Sequence, residues 1–390
     1  MQALTIDPTE LILLATAGFF FLVQIGYYLG LYSRINRHVV ACKQGKIPHT
    51  QDLPPISVII CAHNEPENLR LNLEPVLRQD YPNYEVIVIN DGNDDESDDL
   101  LTRLQQQYPH LYHSFTPHSQ RGTGHRKLAT TLGIKASKHE WLVFTRPDSA
   151  PQSNQWLRAM ARNFTPGTQV VLGYSNYTPS RAKGRRMATL CELFSAMRYL
   201  GFALGRHPYM GIGRNLAYRK ELFYKNKGFS AHLNLPLGED DLFINRIATP
   251  TNTRVEAATE SIVRITPAEQ DKNWMDEKAE YAFTARYYHG AQRYLSGLET
   301  CSRLLFHAAW MATCAVGVAH HHWLAAGLGL LLFAVRLVLQ ALVVNRTARN
   351  LGEQGRYGLM LPAFDFAQPL LSLRWKWRAR KLCKQTYIVK

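Results

Sequence analysis

Leu11–Ser33 is a run of 23 residues without a single Asp, Glu, Lys or Arg. As one helix it is long enough to cross a hydrocarbon core of about 30 Å. It does not read as a cleaved signal peptide. The preceding MQALTIDPTE has no basic residue and carries Asp7 and Glu10, and the apolar run is longer than a signal-peptide core. Arg34, Arg37, Lys43 and Lys46 follow with no acid between them. The positive-inside rule then places the N-terminus outside and the chain from about residue 34 in the cytoplasm.

A second uncharged run, Leu304–Val335, is too long for one span. His320, His321, His322 and Trp323 divide it, with its extension to Val344, into Leu304–Ala319 and Trp323–Val344. We read these as two antiparallel helices. A histidine tract has the composition of a metal site, but here it is read as an interfacial turn. Arg336 must face protein or water if it lies in the second helix. A third apolar patch, Leu359–Leu373, contains Pro362, Asp365 and Pro369 and precedes RWKWRARKLCK. Crossing would carry that basic tail outside, so an amphipathic or re-entrant segment on the cytoplasmic leaflet is expected, with Trp375 and Trp377 at headgroup level.

Charge then finds its place. The 390 residues carry a net +14, which by itself suggests a polyanionic partner. Residues 34–46 hold +4, residues 345–358 hold +2 and residues 374–390 hold +7. Nearly all the excess flanks the membrane segments, which points to anionic lipid and away from nucleic acid. The six cysteines form no C-x-x-C pair and read as reduced packing residues. The chain divides into an anchor with its basic flank (1–46), a soluble domain (47–300), a membrane hairpin (301–345) and a basic interfacial tail (346–390).

The soluble domain opens with ISVIICAHNEPENL. Ile56–Cys61 is rich in β-branched residues, as a buried parallel strand requires, and Pro66 suits the first turn of a helix running to about Arg78. Glu85–Asn90 is a second buried strand ending at Asp91. Helices near Asp95–Gln107 and Arg126–Ala136 follow, then a strand at Trp141–Thr145 ending in TRPD. Alternating strands and helices predict a doubly wound α/β sheet, whose ligands bind beyond the carboxyl ends of the strands. Ala62, Glu65, Asp91 and Asp148 lie there. Neither G-x-G-x-x-G after the first strand nor G-x-x-x-x-G-K-[ST] is present, which removes the main support for dinucleotide and P-loop readings. Strand-end acids suit a sugar-nucleotide: one carboxylate can accept from a base N–H or a ribose hydroxyl, another can hold Mg²⁺ or Mn²⁺ on a diphosphate. Asp and Asn also occur at such positions for turn geometry alone. A second acidic cluster, Glu239-Asp240-Asp241, precedes a short apolar-periodic helix. It reads either as a stabilised helix start or as a general base for an acceptor hydroxyl.

In this order the motifs resemble a bacterial, membrane-anchored family 2 glycosyltransferase with the GT-A fold, over about Pro54 to Tyr288. SVIICAHNEPENL is similar to the family's first strand, with Ala62 and Glu65 near the nucleotide. INDGNDD is similar to the element whose Asp91 binds the base. GHRKLATTLGIKAS resembles the stretch with a donor-side lysine, Lys127, and TRPD stands at the D-x-D position, with Arg146 beside phosphate and Asp148 toward a metal. PYMGIGRNLAYRKELFYKNKGF resembles the acceptor-side segment, here Gly211, Gly213 and Asn215. GEDDLFINR resembles the catalytic motif, implying Asp240 as base, Glu239 beside it and Asp241 on the acceptor side with Trp274. The resemblance implies an inverting transfer from a nucleotide-sugar, such as a UDP-sugar, to a lipid-linked or glycan acceptor, with a divalent cation. It implies a multi-pass protein of the inner membrane with its catalytic domain in the cytoplasm. Two departures stand out. Arg146-Pro147-Asp148 replaces D-x-D, and near Asn273-Trp274 the Q-x-x-R-W pattern is incomplete, with Glu280 where a base is expected. We expect Arg146 and Glu280 to compensate each other as a pair. Trp274, Tyr281, Phe283, Tyr287 and Tyr288 suggest an acceptor platform, or simply a packed amphipathic helix. A processive synthase and a sugar-nucleotide-binding scaffold without catalysis are the competing readings.

Overall fold

The computed structural model describes residues 6–91, 96–116, 125–180, 184–267, 274–358 and 360–387. Asp95, Asn273 and Leu359, which figure in the expectations above, lie outside them. The uncharged N-terminal run forms α1 (Pro8–Lys43), a 36-residue helix apolar enough to cross a membrane. Its middle, Gly26–Tyr32, takes a π-helical turn.

The sheet follows from the buried runs. The strands are β1 (Ile56–Ala62), β2 (Tyr84–Asn90), β3 (Leu111–Phe115), β4 (Trp141–Thr145), β5 (Ser149–Pro151), β6 (Val170–Leu172), β7 (Ser175–Tyr177), β8 (Leu216–Arg219), β9 (Thr253–Val255) and β10 (Val263–Ile265). Seven form the main sheet in the order β3-β2-β1-β4-β8-β6-β9. The first four are parallel, with Ile56 opposite both Tyr84 and Trp141, and β8 runs antiparallel to β4 and β6. Every residue of β1 except Cys61 is buried, which is why its sequence shows little alternation. The helix His125–Ala136 packs on β1 so closely that a Cβ at Gly133 would lie 2.7 Å from the Ile59 side chain. A small second sheet has the order β5-β10-β7. The expected doubly wound α/β sheet is present, but it is mixed.

The core between sheet and membrane helices is organised by α2 (Arg185–Leu204), most of which is buried. α3 (Asp241–Ile247) follows the acidic motif and α4 (Trp274–Thr284) covers the site. α5 (Gln292–Ala319) and α6 (Trp323–Asn350) are the two further helices long and apolar enough to cross a membrane. They start and end beyond the expected hairpin, so α5 begins inside the range assigned above to the soluble domain.

The tail differs from expectation. α7 (Met360–Tyr387) is one 28-residue helix. Its first turns are held by Asp365, which is 1% exposed and takes Arg336 Nη1 at 2.6 Å and Gln340 Nε2 at 2.9 Å. Arg303 Nη1 lies 3.6 Å away. Arg336 therefore faces protein, as required, and Gln24 of α1 also meets its guanidinium at 3.0 Å. The rest of α7 lies along α4: Trp375 meets Trp274 edge to face with ring centroids 6.1 Å apart, and Arg378 reaches Asp276 at 2.7 Å. Trp375 is thus a packing residue, while Trp377 is exposed beneath Lys381. The described cysteines are free.

Candidate active site

A cavity of about 410 Å³ opens beyond the carboxyl ends of β1 and β4. Its floor carries Asp240. The chain turns into α3 through Gly238, whose φ of +103° suits only glycine; a Cβ there would lie 2.4 Å from Leu242. Asp240 caps α3, its Oδ1 accepting from the Asp241 amide at 2.7 Å. Its Oδ2 accepts from the Gly213 amide at 2.9 Å, Arg146 Nη2 at 3.0 Å and the Tyr281 hydroxyl at 2.9 Å.

These contacts separate the three adjacent acids. Burial works against a charge on Asp240, but Arg146 and the Gly213 and Asp241 amides outweigh it and hold its pKa below the ordinary range. Burial and the charge of Asp240 push Glu239 up. Burial and the same charge push Asp241 up to about 8, although Thr284 and Tyr288 donate to it. The environment thus pushes the three pKa values apart, Asp240 down and its two neighbours up, which assigns them different roles.

Arg146 follows the end of β4, but its partner differs from the one expected. Nη1 binds Glu277 at 3.0 Å. Glu280 instead takes Arg126 at 2.9 Å, and Arg126 also approaches Glu239 at 3.8 Å. Asp148 is given to Arg214: Oδ2 accepts Nη2 at 2.8 Å, while Oδ1 accepts Ser149 Oγ at 2.8 Å and Arg214 Nε at 3.3 Å. Burial opposes the Asp148 charge, yet Arg214 holds its pKa far below the usual carboxylate value. Arg214 also binds Glu277. A divalent cation at this position needs several oxygens. Here one carboxylate has become a guanidinium and the other is already satisfied, so the residues do not fit a D-x-D metal as they stand.

The remaining expected residues divide. Glu65, Gly213, Glu239 and Trp274 line the cavity with Arg146, Asp148 and Asp240. Ala62 ends β1 with its carbonyl accepting from the Asp91 amide at 2.7 Å. Asp91 is 9% exposed, accepts from Thr116, and has His63 and His125 each 3.4 Å from its carboxylate. Three residues are not part of the cavity lining. Lys127 points away from the cavity and donates to the carbonyls of His232 and Leu235, the latter at 2.8 Å; burial pushes its pKa down to about 8. Asn215 ties Trp156, Tyr174 and Ser261 together. At Gly211 a Cβ would crowd Leu172 at 3.0 Å. The aromatics of the expected platform have different surroundings. Tyr281 and Tyr288 donate to Asp240 and Asp241, Phe283 is buried beside Leu242 and Ala379, and Tyr287 is exposed.

Sequence reasoning missed Arg126, Arg214 and Glu277. Glu277 lies three residues from both Trp274 and Glu280 on α4, a helical spacing that marks one face; Arg214 sits inside the quoted GIGRN and was passed over for its glycines.

A segment of this chain is 32% identical over 132 residues to the glycosyltransferase AglE of Haloferax volcanii, covering 33% of this chain and 42% of that protein. Another match, to the probable glycosyltransferase YdaM of Bacillus subtilis, is 26% identical over 136 residues, covering 33% of this chain and 32% of that one. The chain thus spans less than half the length of either relative. Among solved structures, the mannosyltransferase PcManGT of Pyrobaculum calidifontis, in complex with GDP-Man and Mn²⁺, superposes with a TM-score of 0.55 at 19% identity, covering 88% of this chain and 100% of that one. That likeness supports a GT-A-like mixed α/β fold. Residues 57–226 match the model of glycosyl transferase family 2.

Proposed function

We propose that this protein transfers a sugar from a nucleotide-sugar to a hydroxyl acceptor at the membrane surface, with inversion and with Asp240 as general base. The observation that carries this is Asp240 in the cavity lining, its carboxylate held by Arg146, Tyr281 and the Gly213 amide, with its pKa held down while those of Glu239 and Asp241 are pushed up. The acceptor O–H gives its proton to Asp240 as its oxygen attacks the anomeric carbon, and the bond from that carbon to the diphosphate oxygen breaks on the opposite side. Charge on the departing diphosphate falls to Arg146 and Arg214, whose carboxylate partners it displaces. Arg146 then leaves Asp240 free to meet the acceptor. No step here runs through a metal. The three apolar helices and their basic flanks favour a bacterial inner-membrane protein with the domain in the cytoplasm, and a lipid-linked or glycan acceptor of the cell envelope fits that position.

The alternative is a binding scaffold without catalysis. It is favoured by the clamp of Arg146 on the proposed base and by a cavity lining with seven carboxylates against three guanidinium groups.

A panel of UDP- and GDP-sugars incubated with detergent-purified protein separates the readings. We expect a donor to bind with an affinity that EDTA changes by less than about threefold, and to be turned over. Binding without turnover establishes the scaffold; binding that vanishes in EDTA restores a metal to the site.

A further inference from the structure

At the opposite end of the helices from the cavity, the start of α1 meets the turn between α5 and α6. Two segments more than 300 residues apart bring Asp7, Glu10, His320 and His322 together. We propose that these four side chains form a transition-metal site, with a donor set that suits Zn²⁺, that clasps the N-terminus of α1 to the α5–α6 turn.

The argument is one of convergent lone pairs. His322 Nδ1 lies 3.0 Å from Glu10 Oε1 and 3.8 Å from Asp7 Oδ2, and His320 Nδ1 lies 3.6 Å from the same Asp7 oxygen. One ligand atom from each of Asp7, His320 and His322 falls within 4.8 Å of the others. Two of these separations are too long for hydrogen bonds. They are close instead to the edge of a tetrahedron, about 3.3 Å, around a zinc with bonds of about 2.0–2.1 Å. Imidazole with carboxylate is a donor set that zinc accepts.

The site is also built rather than incidental. Glu10 is fully buried and His322 is 11% exposed on its side chain. The second oxygen of Glu10 accepts from the Asp7 amide at 3.0 Å, so one helix turn fixes both carboxylates. On the other strand of the turn, His321 takes φ of +60°. That left-handed residue points its own ring toward Trp323, with centroids 6.3 Å apart, and lets the rings on either side of it approach to 5.8 Å. A single proton on His322 serves one of these contacts; a dication serves all of them. His320–His322 form the turn between α5 and α6, as the sequence suggests, and the proposal adds a ligand role to that turn. On the orientation proposed above, the site faces the outside, but its chemistry does not depend on that orientation.

The test uses untagged, full-length protein in detergent, stripped with a chelator and titrated with ZnCl₂ by calorimetry. One equivalent of zinc is expected to bind and to raise the melting temperature. His320→Asn and His322→Asn are expected to weaken binding at least tenfold. His321→Asn, which tolerates the left-handed backbone, is expected to retain it. X-ray absorption at the zinc edge of the wild-type complex should show two imidazoles among light-atom ligands. No saturable zinc, equal binding by His322→Asn and wild type, or a spectrum with sulfur or only water as ligands overturns the site. The absorption measurement decides the matter if a variant does not fold.

Discussion

A string of three adjacent acids has to dispose of its repulsion, and here each residue does so differently. Asp240 is held ionised by an arginine and two amides, Glu239 is pushed toward its neutral form, and Asp241 is raised to about 8 by burial and its neighbour's charge. The Asp241 shift has a consequence for stability. Its folded pKa is raised above an unfolded value near 3.9, so the folded state holds the extra proton between about pH 4 and pH 8. The contribution is complete below pH 4 and is lost as pH rises toward 8. Asp241→Asn keeps the neutral form at every pH. Its melting temperature should fall less than that of wild type between pH 5 and pH 8; parallel curves would show that Asp241 does not retain its proton. At this scale the acid cluster and the TRPD substitution were legible in the sequence, because both are local. Arg214, Glu277 and the true partner of Arg146 were not, because each pair joins segments at least 63 residues apart.

Elements were legible in proportion to their length. β1, β2 and β4 have five to seven residues and are almost wholly buried, so composition alone marks them. β5, β6, β7, β9 and β10 have three residues each, too few for a period to register. The packing of the C-terminal helix was hidden for another reason. The partners of Asp365, Arg303 and Arg336, come from two other helices. Removing one member of a buried ionic cluster leaves the others uncompensated, at a cost of roughly 3–5 kcal/mol. Asp365→Ala should therefore lower the melting temperature in detergent sharply and expose α7 to protease. A variant as stable as wild type would mean that α7 is held by its contacts with α4 alone.

Across the whole molecule the charge that first suggests nucleic acid belongs to segments that flank apolar helices, although part of the basic tail lies against the domain through Arg378 and Trp375. The arrangement has a direction. A membrane-impermeant maleimide should label a cysteine at Thr9 in intact cells of a cysteine-free background, and a cysteine at Lys46 only after lysis; the reverse pattern would invert the proposed topology. The central claim concerns the cavity itself, and kinetics of a single variant tests it. With the donor and acceptor found for the wild type, Asp240→Asn should lower kcat by about 10²–10⁴, the range for loss of a general base. Donor affinity should stay within a few-fold. Transfer by Asp240→Asn at the wild-type rate would contradict the assignment of Asp240 as the base.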